Sequence, residues 1–244
     1  MPPTDGQLSA KVAASVRHER HLAATRKLCL PDDWIPDFSD PAYPISDAFL
    51  KAFPGLLACN TVTRNALTQL GRTVGPDSSD EDLRSFVQLV NAWGFGDAGY
   101  GPWRTHKVVQ NDKFADSARR ALELLRSDEE DAPVEAYFHL NNRSRGRLPW
   151  WGPAFFTKFL AFADPASGSD TEYSRPAALI LDRWMAVAVR AVSGRDGFPT
   201  AGWTTPEYAY YLAVMSRLGD LSELQSASSP SDVERALFAH YWGQ

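Results

Sequence analysis

Residues 148–158 read LPWWGPAFFTK, in which proline and glycine make a sharp turn and a lysine follows after a short apolar stretch. Helical spacing is expected on both sides of the turn, over Val134 to Asn142 and over Pro153 to Phe162, with a proline suited to the first turn of the second helix. The backbone N–H groups that open such a helix point outward, and their partial positive charge can hold a phosphate. The stretch therefore predicts a helical fold with an anion-binding turn.

The turn lies in a basic window of an otherwise acidic chain. Between Ala136 and Ala163 there are four basic side chains and no Asp or Glu, although the 244 residues carry a net charge of -5. Because charges act over a Debye length of about 8–10 Å, a local basic face can bind phosphates while acids elsewhere set the total. We therefore expect the turn to anchor a nucleic acid duplex through its backbone, independently of base sequence, with contacts from Arg143, Arg145, Arg147, Trp151 and Gly152.

The rest of the composition is that of an ordinary globular protein. Hydrophobic residues make up 44% of the chain and charged residues 23%, and no apolar run approaches the roughly 18 residues that a membrane span needs. The N-terminus lacks the apolar core and cleavage site of a secretion signal, so we expect a cytoplasmic protein with no membrane role. Two cysteines are too few for a disulfide framework or a thiolate site, and the histidines lack acidic or thiolate partners, so neither a metal nor another cofactor is predicted.

Helical periodicity accounts for most of the chain. Strand-like alternation is scarce and no repeat recurs at a fixed period, so we predict an all-α fold with no sizeable sheet. Residues 1–78, with an irregular proline-rich stretch from Pro31 to Pro54, are expected to pack on a core formed by residues 79–244, and we expect a monomer with no obligate protein partner. Helices outside the turn are predicted at Gln7–Leu28, Phe49–Leu70, Ser79–Trp93, Phe114–Arg126, Asp182–Val192, Pro206–Leu218 and Ser231–Trp242.

A glycine-rich loop is predicted after the helix that ends near Trp93. Four glycines fall between Gly94 and Gly101, so the backbone there can approach a ligand closely, and Trp93, Tyr100 and Trp103 bracket the loop with aromatic rings. The loop lacks the Gly-Lys-Ser/Thr of a phosphate-binding P-loop. We therefore interpret it as a loop that can lie close to a bound ligand.

Lys158 lies at the margin of the apolar stripe of its predicted helix. An amine at such a border is partly desolvated, which makes it a better nucleophile; the alternative is a surface lysine that keeps its amine in water. Asp182 follows an apolar run, Ala177 to Leu181, that is expected to be only partly helical, and it is predicted to cap the next helix. An ordinary cap would explain it as well. Together, an amine and a carboxylate can break a glycosidic bond, because the amine bonds to the anomeric carbon while the carboxylate stabilises the positive charge on the sugar.

These motifs resemble the helix-hairpin-helix DNA glycosylase superfamily, and most closely its 8-oxoguanine DNA glycosylase branch. The resemblance is carried by the hairpin Leu148-Pro149-x-x-Gly152, by Thr157-Lys158 and by Leu181-Asp182-Arg183-Trp184, and the stretch from Gly152 to Leu160 is similar to the bacterial OGG-fold group. It implies that Lys158 is the Schiff-base lysine, that Asp182 is the catalytic aspartate, and that the substrate is double-stranded DNA with a modified base. It extends over roughly residues 80 to 200.

The chain departs from the family pattern at several positions. The usual hairpin, Leu-Pro-Gly-Val-Gly, has tryptophan at residues 150 and 151 here, while Phe162 and Trp184 replace a small pocket residue and a histidine of the branch. The resemblance suggests that Asn91 takes the place of the asparagine that fills the gap left by the extruded base. A flipped base can stack on aromatic rings. The candidates for the base pocket are Asn91, Trp93, Tyr100, Trp103, Phe162, Trp184, His240 and Trp242.

Three classes of function follow from these features. The first is a DNA glycosylase with accompanying lyase activity that excises a modified base, in base-excision repair or in defence against phage DNA with modified bases. The second is a non-catalytic DNA-binding protein that uses the same hairpin. The third is a helical scaffold that binds protein, which would show no salt-dependent binding of DNA.

Overall fold

The computed structural model describes residues 8–31, 33–58, 60–167, 174–221 and 229–242. Within these ranges the chain forms eleven α-helices and a sheet of only two short antiparallel strands. The strands are β1 (Tyr43–Pro44) and β2 (Thr61–Val62), with Tyr43 opposite Val62. The prediction of an all-α fold without a sizeable sheet is confirmed.

The helices span most of the described chain, and a 3-10 helix covers Pro54–Ala58. The α-helices are α1 (Ala10–Thr25), α2 (Asp47–Ala52), α3 (Arg64–Thr73), α4 (Asp80–Phe95), α5 (Gly101–Val109), α6 (Phe114–Leu125), α7 (Ala132–Asn141), α8 (Pro153–Ala163), α9 (Arg183–Ser193), α10 (Thr205–Leu218) and α11 (Pro230–Tyr241).

Capping residues set several helix starts. Ser79 begins α4 with a capping box, in which its hydroxyl accepts the Asp82 N–H at 3.1 Å and the Asp82 carboxylate accepts the Ser79 N–H at 3.3 Å. The last helix begins earlier than the predicted Ser231, because Ser229 caps it and Pro230 occupies its first turn. The predicted beginning of the first helix, Gln7, lies outside the described residues, as does Cys59.

The N-terminal third differs most from the sequence prediction. A single helix over Phe49–Leu70 is wrong, since α2, a 3-10 helix, β2 and α3 share this stretch and the irregular region before it already contains β1. Pro54 and Gly55 end α2 because proline cannot continue the hydrogen-bond ladder. The glycine-rich loop is also shorter than predicted: α4 continues to Phe95, and α5, which sequence analysis missed, begins at Gly101.

One continuous hydrophobic core includes residues from both predicted segments, from Val16 of α1 to Tyr241 of α11. Helix α1 packs along α10, and α3 packs along α8. The division at residue 78 stays a prediction. In the described part of the chain, no helix combines the length and the apolar character that a bilayer span requires.

Candidate active site

The hairpin between α7 and α8 is held by its own backbone and by one close approach. Asn142 accepts hydrogen bonds from the Ser144 amide at 3.0 Å and hydroxyl at 2.8 Å, and the Gly146 N–H donates to the His139 carbonyl at 3.0 Å. A Cβ on Gly146 would lie 2.1 Å from the His139 ring, so only glycine fits there. The turn is therefore a defined structure that brings residues 150–152 to the start of α8.

Lys158 lies inside the protein on α8, with 6% of its surface exposed. Its Nζ donates to the Ala154 carbonyl at 3.0 Å and lies 3.3 Å from Asp182 Oδ2, while the ring of Phe155 is 5.7 Å away. Gly94 of α4 makes room for the aliphatic part, because a Cβ there would be 2.8 Å from Lys158 Cδ. Lysine is rarely buried without a charged partner, and here the partner is present. The alternative of a surface lysine does not describe this side chain.

The two carboxylate oxygens of Asp182 make different contacts. Oδ1 accepts the N–H groups of Trp184 at 3.0 Å and Met185 at 3.2 Å, which makes Asp182 the N-cap of α9 as predicted. Oδ2 faces the amine of Lys158. The two hydrogen bonds of Oδ1 hold the carboxylate at the start of the helix. The cap thus fixes the position of the oxygen that faces the lysine.

The segment that carries Asp182 to the lysine is neither helix nor strand, so the expectation of partial helix over Ala177 to Leu181 is wrong. Side chains satisfy its buried backbone. Tyr208 Oη accepts the Leu179 N–H at 3.2 Å and donates to the Leu179 carbonyl at 3.0 Å, and Tyr211 Oη donates to Ile180 at 2.6 Å. Burial raises the pKa of Tyr208 and of Tyr211, so both hydroxyls stay neutral and keep the proton they donate.

Two further contacts complete the hydrogen bonding of this segment. The Ile180 N–H donates to Glu234 Oε2 at 3.3 Å, and the Leu181 N–H donates to Thr157 Oγ1 at 3.1 Å. Thr157 precedes Lys158 on α8, and Leu181 precedes Asp182. The hydrogen bond between Thr157 and Leu181 therefore joins the neighbours of the two candidate catalytic residues. Since an unpaired buried amide costs about 1–3 kcal/mol, these contacts fix the path of the backbone up to Asp182.

A buried ion pair anchors the same segment at its beginning. Asp164, directly after α8, accepts Arg175 Nη1 at 3.0 Å and Nη2 at 2.7 Å, and it also accepts the Ala178 N–H at 2.6 Å. Both side chains of the pair are almost completely buried. Asp164 therefore ties the end of the lysine-bearing helix to the start of the segment that leads to Asp182.

The residues predicted to bind DNA differ in how far they are exposed to solvent. Arg143 and Arg147 are exposed on the hairpin, whereas Arg145 lies with its guanidinium 4.8 Å from the ring of Phe138. Gly152 caps α8 with its backbone. Trp151 is 2% exposed and packs on aromatic residues of the core, which corrects the expectation that its side chain contacts DNA.

Some base-pocket candidates come together beside the lysine. Phe162 lies one turn after Lys158. Its ring centroid is 5.2 Å from that of Trp93, and the two rings are nearly perpendicular. Tyr43 of β1 lies 6.1 Å from Trp93 and 6.3 Å from the exposed Trp242. These four rings form an aromatic row from the neighbourhood of Lys158 to the surface. Sequence analysis missed Tyr43, which stands in a proline-rich stretch without periodicity.

Other candidates lie outside this aromatic row. Asn91 is 2% exposed and donates to Thr105 Oγ1 at 3.2 Å, so the expectation that it fills the gap in the DNA is corrected. Trp184 lies under the guanidinium of Arg183 at 5.3 Å, and His240 packs on Trp34 at 5.4 Å. Tyr100 and Trp103 are exposed, and Trp103 contacts Trp150 of the hairpin. Among the residues that the structure describes, no group of three or more His, Cys, Asp or Glu is arranged to hold a metal ion.

Comparison with known proteins gives one family. The family described as "Putative 8-oxoguanine DNA glycosylase OGG-like protein" matches residues 15–238, which is most of the chain. No curated protein and no solved structure matches it. The match covers the hairpin, Lys158 and Asp182, and it agrees with the helical architecture and with the resemblance seen in the hairpin motifs. The chain belongs to this OGG-like family and has its all-α, helix-hairpin-helix fold.

Proposed function

We propose that the protein is a DNA glycosylase that removes a modified base with Lys158 as nucleophile. The observation that carries the proposal is the 3.3 Å approach of Lys158 Nζ to Asp182 Oδ2, in a site where helix amides hold the other carboxylate oxygen. The two side chains retain 8% and 15% of their accessible surface, and a sugar would approach from that open side. Family membership supports DNA as the substrate.

The arrangement fits a two-stage reaction on a nucleotide that has left the stack. The amine must be neutral to attack, and Asp182 Oδ2 is placed to take its proton. The bond from Nζ to C1′ forms while the bond from C1′ to the base breaks, and the base leaves with the electron pair and takes up the proton that Asp182 received, which returns the carboxylate to its ionised form. The ionised carboxylate stabilises the positive charge on the sugar. Opening of the sugar ring then gives an imine, from which elimination of the 3′ phosphate would cut the strand.

The hairpin and the aromatic row supply the other requirements of this reaction. Arg143 and Arg147 are exposed cations on the hairpin that leads into α8, and such cations can hold a DNA backbone without reading its sequence. A base turned out of the duplex can stack on rings such as Trp93 and Trp242, which offsets part of the few kcal/mol that unstacking costs. The biological setting that we propose is base-excision repair or defence against phage DNA that carries modified bases.

Borohydride trapping tests the proposal directly. Reduction converts the imine between Lys158 and the sugar into a stable amine, so the wild type should become covalently attached to duplexes bearing its substrate base and to abasic duplexes. The panel should include 8-oxoguanine and the hydroxymethylated and glucosylated bases of phage DNA. Lys158→Gln should form no adduct, and Asp182→Asn should lose most of it while remaining folded, because asparagine caps helices as well as aspartate does.

Lys11→Gln is the matched control, since Lys11 is an exposed lysine on α1. It should form the adduct as the wild type does. Absence of an adduct with every duplex, combined with salt-dependent binding of DNA, would leave a non-catalytic DNA-binding protein as the better description.

A further inference from the structure

Arg104 of α5 is held against the hairpin and against two aromatic rings. Its Nε donates to the Trp150 carbonyl at 2.6 Å. The guanidinium carbon lies 5.2 Å from the centre of the Phe155 ring and 6.0 Å from that of Phe95, and these two rings are stacked 3.9 Å apart. An arginine that a hydrogen bond and two rings already fix loses little further freedom when it binds a ligand. The guanidinium is therefore preorganised.

This preorganised cation has no carboxylate partner among the residues that the structure describes. Arg20, Arg84 and Arg195 are also partly buried, and each of them pairs with a carboxylate. Arg104 uses one N–H on the Trp150 carbonyl, and no described group accepts a hydrogen bond from its two terminal amino groups. Because a partly desolvated cation is unfavourable without a counter-charge, this arrangement indicates a place for an anion from outside the chain.

Open space lies where the guanidinium faces Gly152. Among the described residues, and leaving out its chain neighbours, a Cβ built on Gly152 would have only Arg104 Nη2 within 4 Å, at 3.7 Å. Gly152 is the N-cap of α8, and the amides in the first turn of a helix carry partial positive charge. An anion in this space would therefore meet the N–H groups of the guanidinium and the start of the helix together.

The same space is close to the candidate active site. The ring of Phe155 contacts both cations, with its centre 5.2 Å from the guanidinium carbon of Arg104 and 5.7 Å from Lys158 Nζ. The two cations are therefore no farther apart than the sum of these distances. A sugar whose C1′ reaches Nζ carries phosphates on its 5′ and 3′ oxygens, so a phosphate of that nucleotide can reach Arg104.

We propose that Arg104 binds a phosphate that flanks the extruded nucleotide and thereby positions its sugar against Lys158. This role rests on the proposed function for its partner, DNA, but not on the attack by Lys158. Arg104 belongs to α5, outside the hairpin, so the contact is additional to those expected of the hairpin itself. Because a guanidinium presents its N–H groups as a planar fork, it orients a phosphate as well as attracting it.

The test measures binding, by fluorescence anisotropy, to duplexes in which an uncharged methylphosphonate replaces one phosphate. Each duplex carries one tetrahydrofuran abasic site, which lacks the anomeric hydroxyl and cannot form an imine with Lys158, and the replacement lies on its 5′ or its 3′ side. For the wild type, the replacement should weaken binding about tenfold in at least one of these positions, which identifies the phosphate. Arg104→Gln should bind the unmodified duplex about tenfold more weakly than the wild type and lose nothing further from that replacement.

Lys107→Gln is the matched control, because Lys107 is an exposed cation of the same helix whose amine lies 5.8 Å from the Trp103 ring. Whatever its own affinity, this variant should remain as sensitive to the replacement as the wild type. Arg104→Lys keeps the charge but loses the planar fork, so it should recover part of the affinity. Each sensitivity compares two duplexes on one protein, so a general loss of folded protein does not imitate the expected result.

A wild type that is insensitive to the replacement on both sides would overturn the role of Arg104, as would an Arg104→Gln variant that stays as sensitive as the wild type. If borohydride trapping fails while Arg104 and a flanking phosphate remain coupled, the chemistry of Lys158 is removed and the phosphate contact stands. Successful trapping without this coupling would have the opposite meaning. A protein that binds none of the duplexes would remove both.

Discussion

At the scale of the residue, Gly94 determines the position of the Lys158 side chain. A Cβ on Gly94 would be 2.8 Å from Lys158 Cδ and 3.1 Å from Cε. Both distances are too short for carbon atoms in contact, and the lysine chain, not the helix backbone, is the part that can move. A substituted residue at position 94 would therefore push the amine away from Asp182.

We predict that Gly94→Ala lowers the rate of adduct formation at least tenfold, which corresponds to about 1.4 kcal/mol in the barrier. The fold should survive, since alanine favours a helix over glycine by about 1 kcal/mol. The measurement is single-turnover trapping on an abasic duplex, with melting temperature as the check on folding. Gly99→Ala is the matched control, because a Cβ there meets nothing within 4 Å. Equal rates for the two variants would contradict this account of Gly94.

The two adjacent tryptophans of the hairpin show what sequence alone leaves open at this scale. Residues 150 and 151 are identical in type, yet one is 53% exposed and the other 2% exposed. The difference comes from the φ of a single residue, which no periodicity encodes. Lys158 and Asp182 were identifiable from the residue types around them, but whether they meet depends on the path of the chain between them.

At the scale of the element, that path is the buried segment without regular secondary structure before α9. Helices such as α4, α6 and α8 were predictable, because each has an apolar stripe with a cap or a proline at its start. The course of this buried segment was not predictable, because its partners are Tyr208, Tyr211 and Glu234, which lie far along the chain. Hydrogen bonds to distant side chains leave no local pattern in the sequence.

The ion pair of Asp164 with Arg175 should be the strongest single anchor of this segment. We predict that Arg175→Met lowers the free energy of unfolding by about 3–5 kcal/mol, because it leaves a buried carboxylate without its counter-charge. Adding Asp164→Asn should restore much of the loss, since an amide can still accept the Ala178 N–H. Urea denaturation of the two single variants and the double variant measures both effects. If the loss of stability in the double variant equals the sum of the losses in the two single variants, the ion pair does not contribute as proposed.

At the scale of the whole molecule, the first and last parts of the chain meet next to the candidate active site. Arg64, at the start of α3, donates to Glu234 of α11 at 2.6 Å and 3.1 Å, and Glu234 also accepts the Ile180 N–H. Ile180 lies two residues before Asp182. The N-terminal region is therefore joined to the segment that carries the catalytic candidate, although the sequence indicated only a helical and irregular region there.

We predict that Arg64→Gln affects both stability and chemistry. Unfolding should become easier by about 3 kcal/mol, because Glu234 is buried and would lose its counter-charge. Trapping should also slow, because the Ile180 contact would loosen. Arg72→Gln, at an exposed position of the same helix, should change neither. Urea denaturation and single-turnover trapping of both variants test this prediction, and identical behaviour of the two would refute a link from α3 and α11 to the site.

Asp182 both caps α9 and faces the amine of Lys158, and this has a consequence for the evolution of the family. One oxygen begins a helix and the other faces the amine, so exchange of a single oxygen for an amide nitrogen would silence the proposed chemistry while the architecture persisted. Pseudoenzymes could thus arise from this scaffold in one step. We expect such relatives to carry asparagine or serine at this position and to retain the hairpin without the catalytic activity.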